Sequence, residues 1–181
     1  IYTELIVGSV RCVEEKAGKP RWKKRFTHSD HLVPSNGKLI PPALRTGVTV
    51  ENNRAYLAAS LLPWKTSYLW CLDATTAEQI YLTEHSGVTL QGAILAGGDR
   101  LYIPQGRAAP VALTQADGKA TGTIKQAGGT FASTEDNQLI AGPPTQREKD
   151  NQLRLADPTS GKRLATFNNT TRVVVAKGKA Y

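Results

Sequence analysis

Leu69-Trp70-Cys71-Leu72-Asp73-Ala74-Thr75-Thr76-Ala77-Glu78 decides the fold, because versions of this phrase occur four times in 181 residues. The others are residues 10–19 (Val-Arg-Cys-Val-Glu-Glu-Lys-Ala-Gly-Lys), 110–119 (Pro-Val-Ala-Leu-Thr-Gln-Ala-Asp-Gly-Lys) and 153–162 (Leu-Arg-Leu-Ala-Asp-Pro-Thr-Ser-Gly-Lys). Each reads as a short alternating strand, a polar turn ending in Gly or Ala, and a second strand. Recurrence at this scale predicts stacked or radially arranged units. It says where a site can be placed, not what the site does.

Working outward from 69–78, residues 47–51 form a strand, Asn52-Asn53 a tight turn, and 54–60 a second strand. Asparagine tolerates the positive φ that a two-residue hairpin demands. A loop follows, then a third strand over 68–73, a turn, and a fourth over 78–82. The result is a four-stranded antiparallel meander. The same order is predicted with strands at 93–96, 100–104, 110–115 and 119–124, and again at 129–133, 138–142, 152–157 and 162–167.

This gives one all-β chain, 1–181, of four-stranded propeller blades: a partial blade at 1–26, an insertion loop at 27–46, whole blades at 47–82, 93–124 and 129–167, and a partial blade at 173–181. Two arrangements suit the half-blades at the ends. They pair and close a small four-bladed ring, which removes raw sheet edges, or the chain is a segment of a larger ring. The total lack of Met favours an excised or processed piece. The insertion, with Ser35-Asn36-Gly37-Lys38 and Pro41-Pro42, reads as turn formers without helical or strand period.

No apolar run approaches the roughly 20 residues of a membrane helix. The net charge of +8 raises nucleic acid or another polyanion as a partner. The densest basic stretch, residues 19–26, alternates partly with Trp22 and Phe26, as an outer strand with one solvated face does. Lysine on such an edge also discourages aggregation, so nucleic acid is the weaker reading. Cys12 and Cys71 occupy equivalent places mid-strand and read as buried small hydrophobes, with a disulfide between neighbouring units left open to geometry.

Leu72-Asp73-Ala74 and Asp157-Pro158-Thr159-Ser160-Gly161-Lys162 resemble the PQQ-like, quinoprotein-type repeat, whose blades end in a Leu-Asp-Ala-x-Thr-Gly-Lys phrase. The match is weaker at Ala112-Leu113 and Cys12-Val13, where the acid is missing or displaced. Arg45-Thr46-Gly47-Val48, Gln91-Gly92 and residues 99–107 look like large bacterial propellers of this repeat type, with about seven or eight blades. The resemblance implies an extracytoplasmic setting. It does not by itself imply a bound quinone, since many members bind none.

The adjacent cysteines of the family's quinone enzymes are absent, so that catalytic carry-over fails and no cofactor or metal is expected. Asp73, Asp157 and Gly161 read as turn residues, the aspartates accepting backbone N–H groups two residues on. His28, Asp30 and His31 make an unfinished metal set, and His85 beside Glu84 and Ser86 cannot form a triad from sequence neighbours. Trp70 is expected between blades, Trp64 at the surface. Arg45, Gln91, Arg107 and Arg172, with Trp64, are the candidate rim for a ligand or partner, arginine being suited to carboxylate or phosphate. The reading is a non-catalytic binding or scaffolding module, whose partner is another protein or the remaining blades of a larger chain. The alternatives are part of a PQQ-dependent oxidoreductase and a polyanion binder.

Overall fold

Alternating strands broken by Gly, Asn and Asp corners give an all-β chain in the computed structural model. The structure describes residues 9–13, 18–26, 33–35, 37–40, 43–60, 66–105, 108–125, 127–135, 138–142, 152–176 and 179–181. Contacts divide the chain into two compact units, Ile1–Leu90 and Gln91–Tyr181.

The first unit holds β1 (Ser9–Val13), β2 (Pro20–Arg25), β3 (Val33–Ser35), β4 (Lys38–Ile40), β5 (Ala43–Leu44), β6 (Thr49–Glu51), β7 (Arg54–Ser60), β8 (Ser67–Asp73) and β9 (Gln79–His85). β1 pairs with β2, and β6 to β9 form a meander. Asn52 and Asn53, at φ 49° and 59°, make the β6–β7 turn. The span 27–46 departs from the predicted featureless loop. Within it β3 and β4 form a hairpin, and β5 pairs with β7 through Ala43–Ser60 and Leu44–Ala59. β5 and β6 therefore share one edge of β7 (the break lies at residues 45–48), which makes this sheet five-stranded.

The second unit holds β10 (Leu95–Gly97), β11 (Arg100–Gln105), β12 (Ala108–Thr114), β13 (Ala120–Thr123), β14 (Gly128–Glu135), β15 (Gln138–Gly142), β16 (Gln152–Ala156), β17 (Arg163–Asn168), β18 (Val175–Ala176) and β19 (Lys179–Ala180). β10 to β13 and β14 to β17 are two antiparallel meanders, and β18–β19 is a hairpin.

The repeated phrase keeps the same strand register four times. Cys12 faces Trp22, Cys71 faces Tyr81, Ala112 faces Gly122, and Leu155 faces Ala165. The ladder slips immediately after each, at Cys12/Val13, Cys71/Leu72, Ala112/Leu113 and Leu155/Ala156. Gly18, Ala77, Gly118 and Gly161 then turn the chain at φ 62°, 64°, 70° and 67°. Left-handed backbone costs glycine little and alanine about 1–2 kcal/mol.

Second and third strands are apolar on both faces. Residues 55–60 of β7 and 67–72 of β8 are all buried, while β13 is exposed throughout. Inner strands packed on both sides with a solvated outer strand are what a blade between sister sheets requires. In the first unit Phe26 meets Trp70 edge-on at 5.4 Å and 65°, within a core of Ala55, Leu57, Tyr68 and Leu72. In the second, Tyr102, Ala112 and Ile124 pack with Leu139, Ala141 and Ala156 from the following blade.

Candidate functional site

The blade corners hold the densest polar chemistry. Asp73 Oδ1 accepts the amides of Thr75 and Thr76, both at 2.8 Å. Its Oδ2 accepts Asn53 Nδ2 at 2.9 Å, and the Thr75 hydroxyl donates to Asn53 Oδ1 at 2.9 Å. The amides of Thr76 and Thr75 hold this carboxyl below its ordinary range. Asp157 repeats the arrangement, accepting the Thr159 amide at 2.8 Å and the Ser160 hydroxyl at 2.9 Å, which lowers its pKa too. In the 110–119 phrase Thr114 stands where the 69–78 and 153–162 phrases carry aspartate. Its hydroxyl donates to Asp117, whose carboxyl also meets Lys119 Nζ at 2.8 Å. Lys119 first, then Thr114, pulls Asp117 down to about 2.

Neighbouring blades are tied at these corners. Trp22 Nε1 donates to the Ala74 carbonyl at 3.0 Å, and Lys24 Nζ to the Ala77 carbonyl at 2.8 Å. β2, which reads as a solvated basic edge, thus clamps the β8–β9 corner. In the second unit Arg100 donates from a terminal guanidinium nitrogen to the Pro158 carbonyl at 2.9 Å. Pro158 stands where Ala74 does, directly after the corner aspartate. The spacing gave a signal: Trp22 lies four residues after Gly18, on the outer strand facing the next corner. The bond partner comes from another blade and cannot be read locally.

Beside the Arg100 bond lies a cleft of about 360 Å³, lined by Ala112, residues 121–125 and residues 158–161.

The candidate rim residues are spread along the chain. Arg45 is exposed in the break between β5 and β6, its Nε 3.3 Å from the Ser60 carbonyl. Gln91 is half-buried ahead of β10, and Arg172 is exposed ahead of β18. No hydrogen bond or ion pair joins Gln91 to Arg172 among the described residues, and neither lines the cleft. Trp64, Arg107, His28, Asp30 and His31 lie outside the described residues. His85 is 8% exposed, with Nε2 3.0 Å from the Thr83 hydroxyl on the same strand face. Cys12 and Cys71 are free, and burial pushes the Cys71 thiol up, which keeps it protonated. The Tyr102 hydroxyl is buried without a hydrogen-bond partner among the described residues.

No family model and no curated protein matches this chain. Solved structures do. BamB from Moraxella catarrhalis aligns with a TM-score of 0.54 at 14% identity, over 90% of this chain and 50% of that one. The computationally designed Ika8 protein aligns at 0.55 and 15%, over 90% and 44%. A quinohemoprotein alcohol dehydrogenase from Pseudomonas putida aligns at 0.56 and 12%, over 96% and 35%. The chain thus spans half or less of the solved structures it matches.

Blades, corners and these likenesses define a β-propeller protein. Because dehydrogenases, BamB and a designed protein share this fold, the fold does not select the activity.

Proposed function

We propose that this chain is a non-catalytic binding or scaffolding module of an extracytoplasmic bacterial protein. One observation carries the reading: the polar side chains of the corners are spent on building blades. Asp73 and Asp157 accept turn amides, and Trp22, Lys24, Arg45 and Arg100 donate to main-chain carbonyls. A carboxylate that must move protons or hold a metal needs open acceptor capacity, and all four Asp73 and Asp157 oxygens carry corner bonds. The extracytoplasmic setting is supported by the resemblance of the repeat phrase and by the quinohemoprotein dehydrogenase among the structural neighbours. Its partner is another protein or further blades of the same ring, which suits a chain spanning half or less of its neighbours.

Equilibrium dialysis against PQQ with calcium, followed by dye reduction with primary alcohols, tests the assignment. The scaffold reading predicts neither saturable quinone uptake nor alcohol-dependent dye reduction. Stoichiometric uptake with turnover would make the chain part of an oxidoreductase and end the reading.

A further inference from the structure

The cleft in the second unit coincides with a position that is filled in the first. Register equates Gly122 with Trp22: each lies four residues after the left-handed glycine of its corner, Gly118 or Gly18, and each faces the strand residue before the ladder slip, Ala112 or Cys12. The facing corners are also equivalent, residues 158–161 matching 74–77. In the first unit the Trp22 indole occupies the space between outer strand and next corner, and its N–H reaches the Ala74 carbonyl at 3.0 Å. In the second unit Gly122 has no side chain, and a Cβ built there meets nothing within 4 Å. The space remains as the cleft of about 360 Å³ bounded by Ala112, Gly122 and the 158–161 corner. Arg100 takes the Pro158 carbonyl, so the blades stay tied with the slot open.

We infer that this slot receives an aromatic side chain, indole above all, presented by an extended segment of a partner protein. The occupant is defined by the chain's own use of the equivalent space. The volume lies in the range of small-ligand sites, about 300–1,000 Å³. Rigid aromatic anchors in desolvated pockets carry much of the energy of protein interfaces. Lys125 at the lining and a net charge of +8 favour acidic residues flanking the aromatic. The inference deepens the binding-module reading and rests on it.

The test titrates N-acetyl-Asp-Trp-Asp-amide into the 15N-labelled 181-residue chain and follows amide shifts. Saturable shifts confined to residues 121–125 and 159–161 are expected, with little change at 74–77, where Trp22 already sits. Peptides with leucine in place of tryptophan, or lysine in place of aspartate, bind at least tenfold more weakly. Thr159→Trp keeps the turn, since Thr159 bonds Asp157 through its main-chain N–H, and fills the slot from within. It lowers affinity at least tenfold while leaving distant resonances in place. Equal affinity for the leucine or lysine peptides, shifts scattered over the surface, or unchanged binding to Thr159→Trp overturns the inference. Failure here leaves the quinone result untouched, so the two readings fail separately.

Discussion

Ala77→Gly isolates the backbone chemistry of the repeated corner. Ala77 sits at φ 64°, where the equivalent residues are Gly18, Gly118 and Gly161 at 62°, 70° and 67°. A left-handed alanine costs about 1–2 kcal/mol. Glycine removes that strain but adds about 0.4–1 kcal/mol of unfolded-chain entropy. The net gain is about 0.5–1 kcal/mol. The Lys24 bond to the Ala77 carbonyl is a main-chain contact and survives the change. With a urea m-value of about 1–2 kcal/mol/M for a unit of this size, the midpoint rises by about 0.5 M. Gly161→Ala is the mirror experiment. Its added Cβ meets nothing within 4 Å, so only the φ of 67° is felt, and about 0.5–1 kcal/mol is lost. Urea unfolding of both variants, with m unchanged, is the assay. An Ala77→Gly midpoint at or below wild type, together with a neutral Gly161→Ala, would refute the left-handed corner.

Three other outcomes are expected. Trp22→Phe keeps a ring in the slot but loses the N–H bond to Ala74, lowering stability by about 1 kcal/mol in denaturant melts; an unchanged midpoint would remove the bond from the account. Tyr102→Phe deletes a buried hydroxyl with no partner among the described residues and raises stability by up to about 1 kcal/mol, whereas a loss on thermal unfolding would reveal a bond to that oxygen. The third concerns acid. Asp73, Asp117 and Asp157 all have folded-state pKa values below the unfolded 3.8, so the unfolded chain binds more protons in that window. Their contribution is complete above the unfolded value and fades as pH falls through the folded ones, to about 2 for Asp117. Thermal midpoints measured from pH 5 to pH 2 therefore drop, and Asp157→Asn gives a shallower drop; a flat profile would contradict the corner bonds.

Much of the fold is legible because two local signals agree at each blade. β7 and β15 fall on the residues predicted, 54–60 and 138–142, since turn formers bound a continuous apolar run on both. Outer strands shift by a residue or more because they are solvated and the ladder slip displaces their start. The 27–46 span was harder. Ser35-Asn36-Gly37-Lys38 and Pro41-Pro42 read only as turn formers, yet Asn36-Gly37 lies between Val33-Pro34-Ser35 and Lys38-Leu39-Ile40, a two-residue hairpin signal in short flanks that proline interrupts. The cleft was not legible at all. Gly122 reads locally as one more strand glycine, and its meaning appears only when its register is set beside Trp22 and the facing corner is brought up by the next blade. Arg100 was likewise hidden, because its acceptor lies 58 residues away.

Cross-strand Hα–Hα and amide contacts read by NMR test the central claim most directly, that one corner recurs with one register. The account predicts pairing of Cys12 with Trp22, Cys71 with Tyr81, Ala112 with Gly122 and Leu155 with Ala165, with the ladder slipping one residue later in all four. Regular pairing through those positions, or partners drawn from different strands, would contradict it.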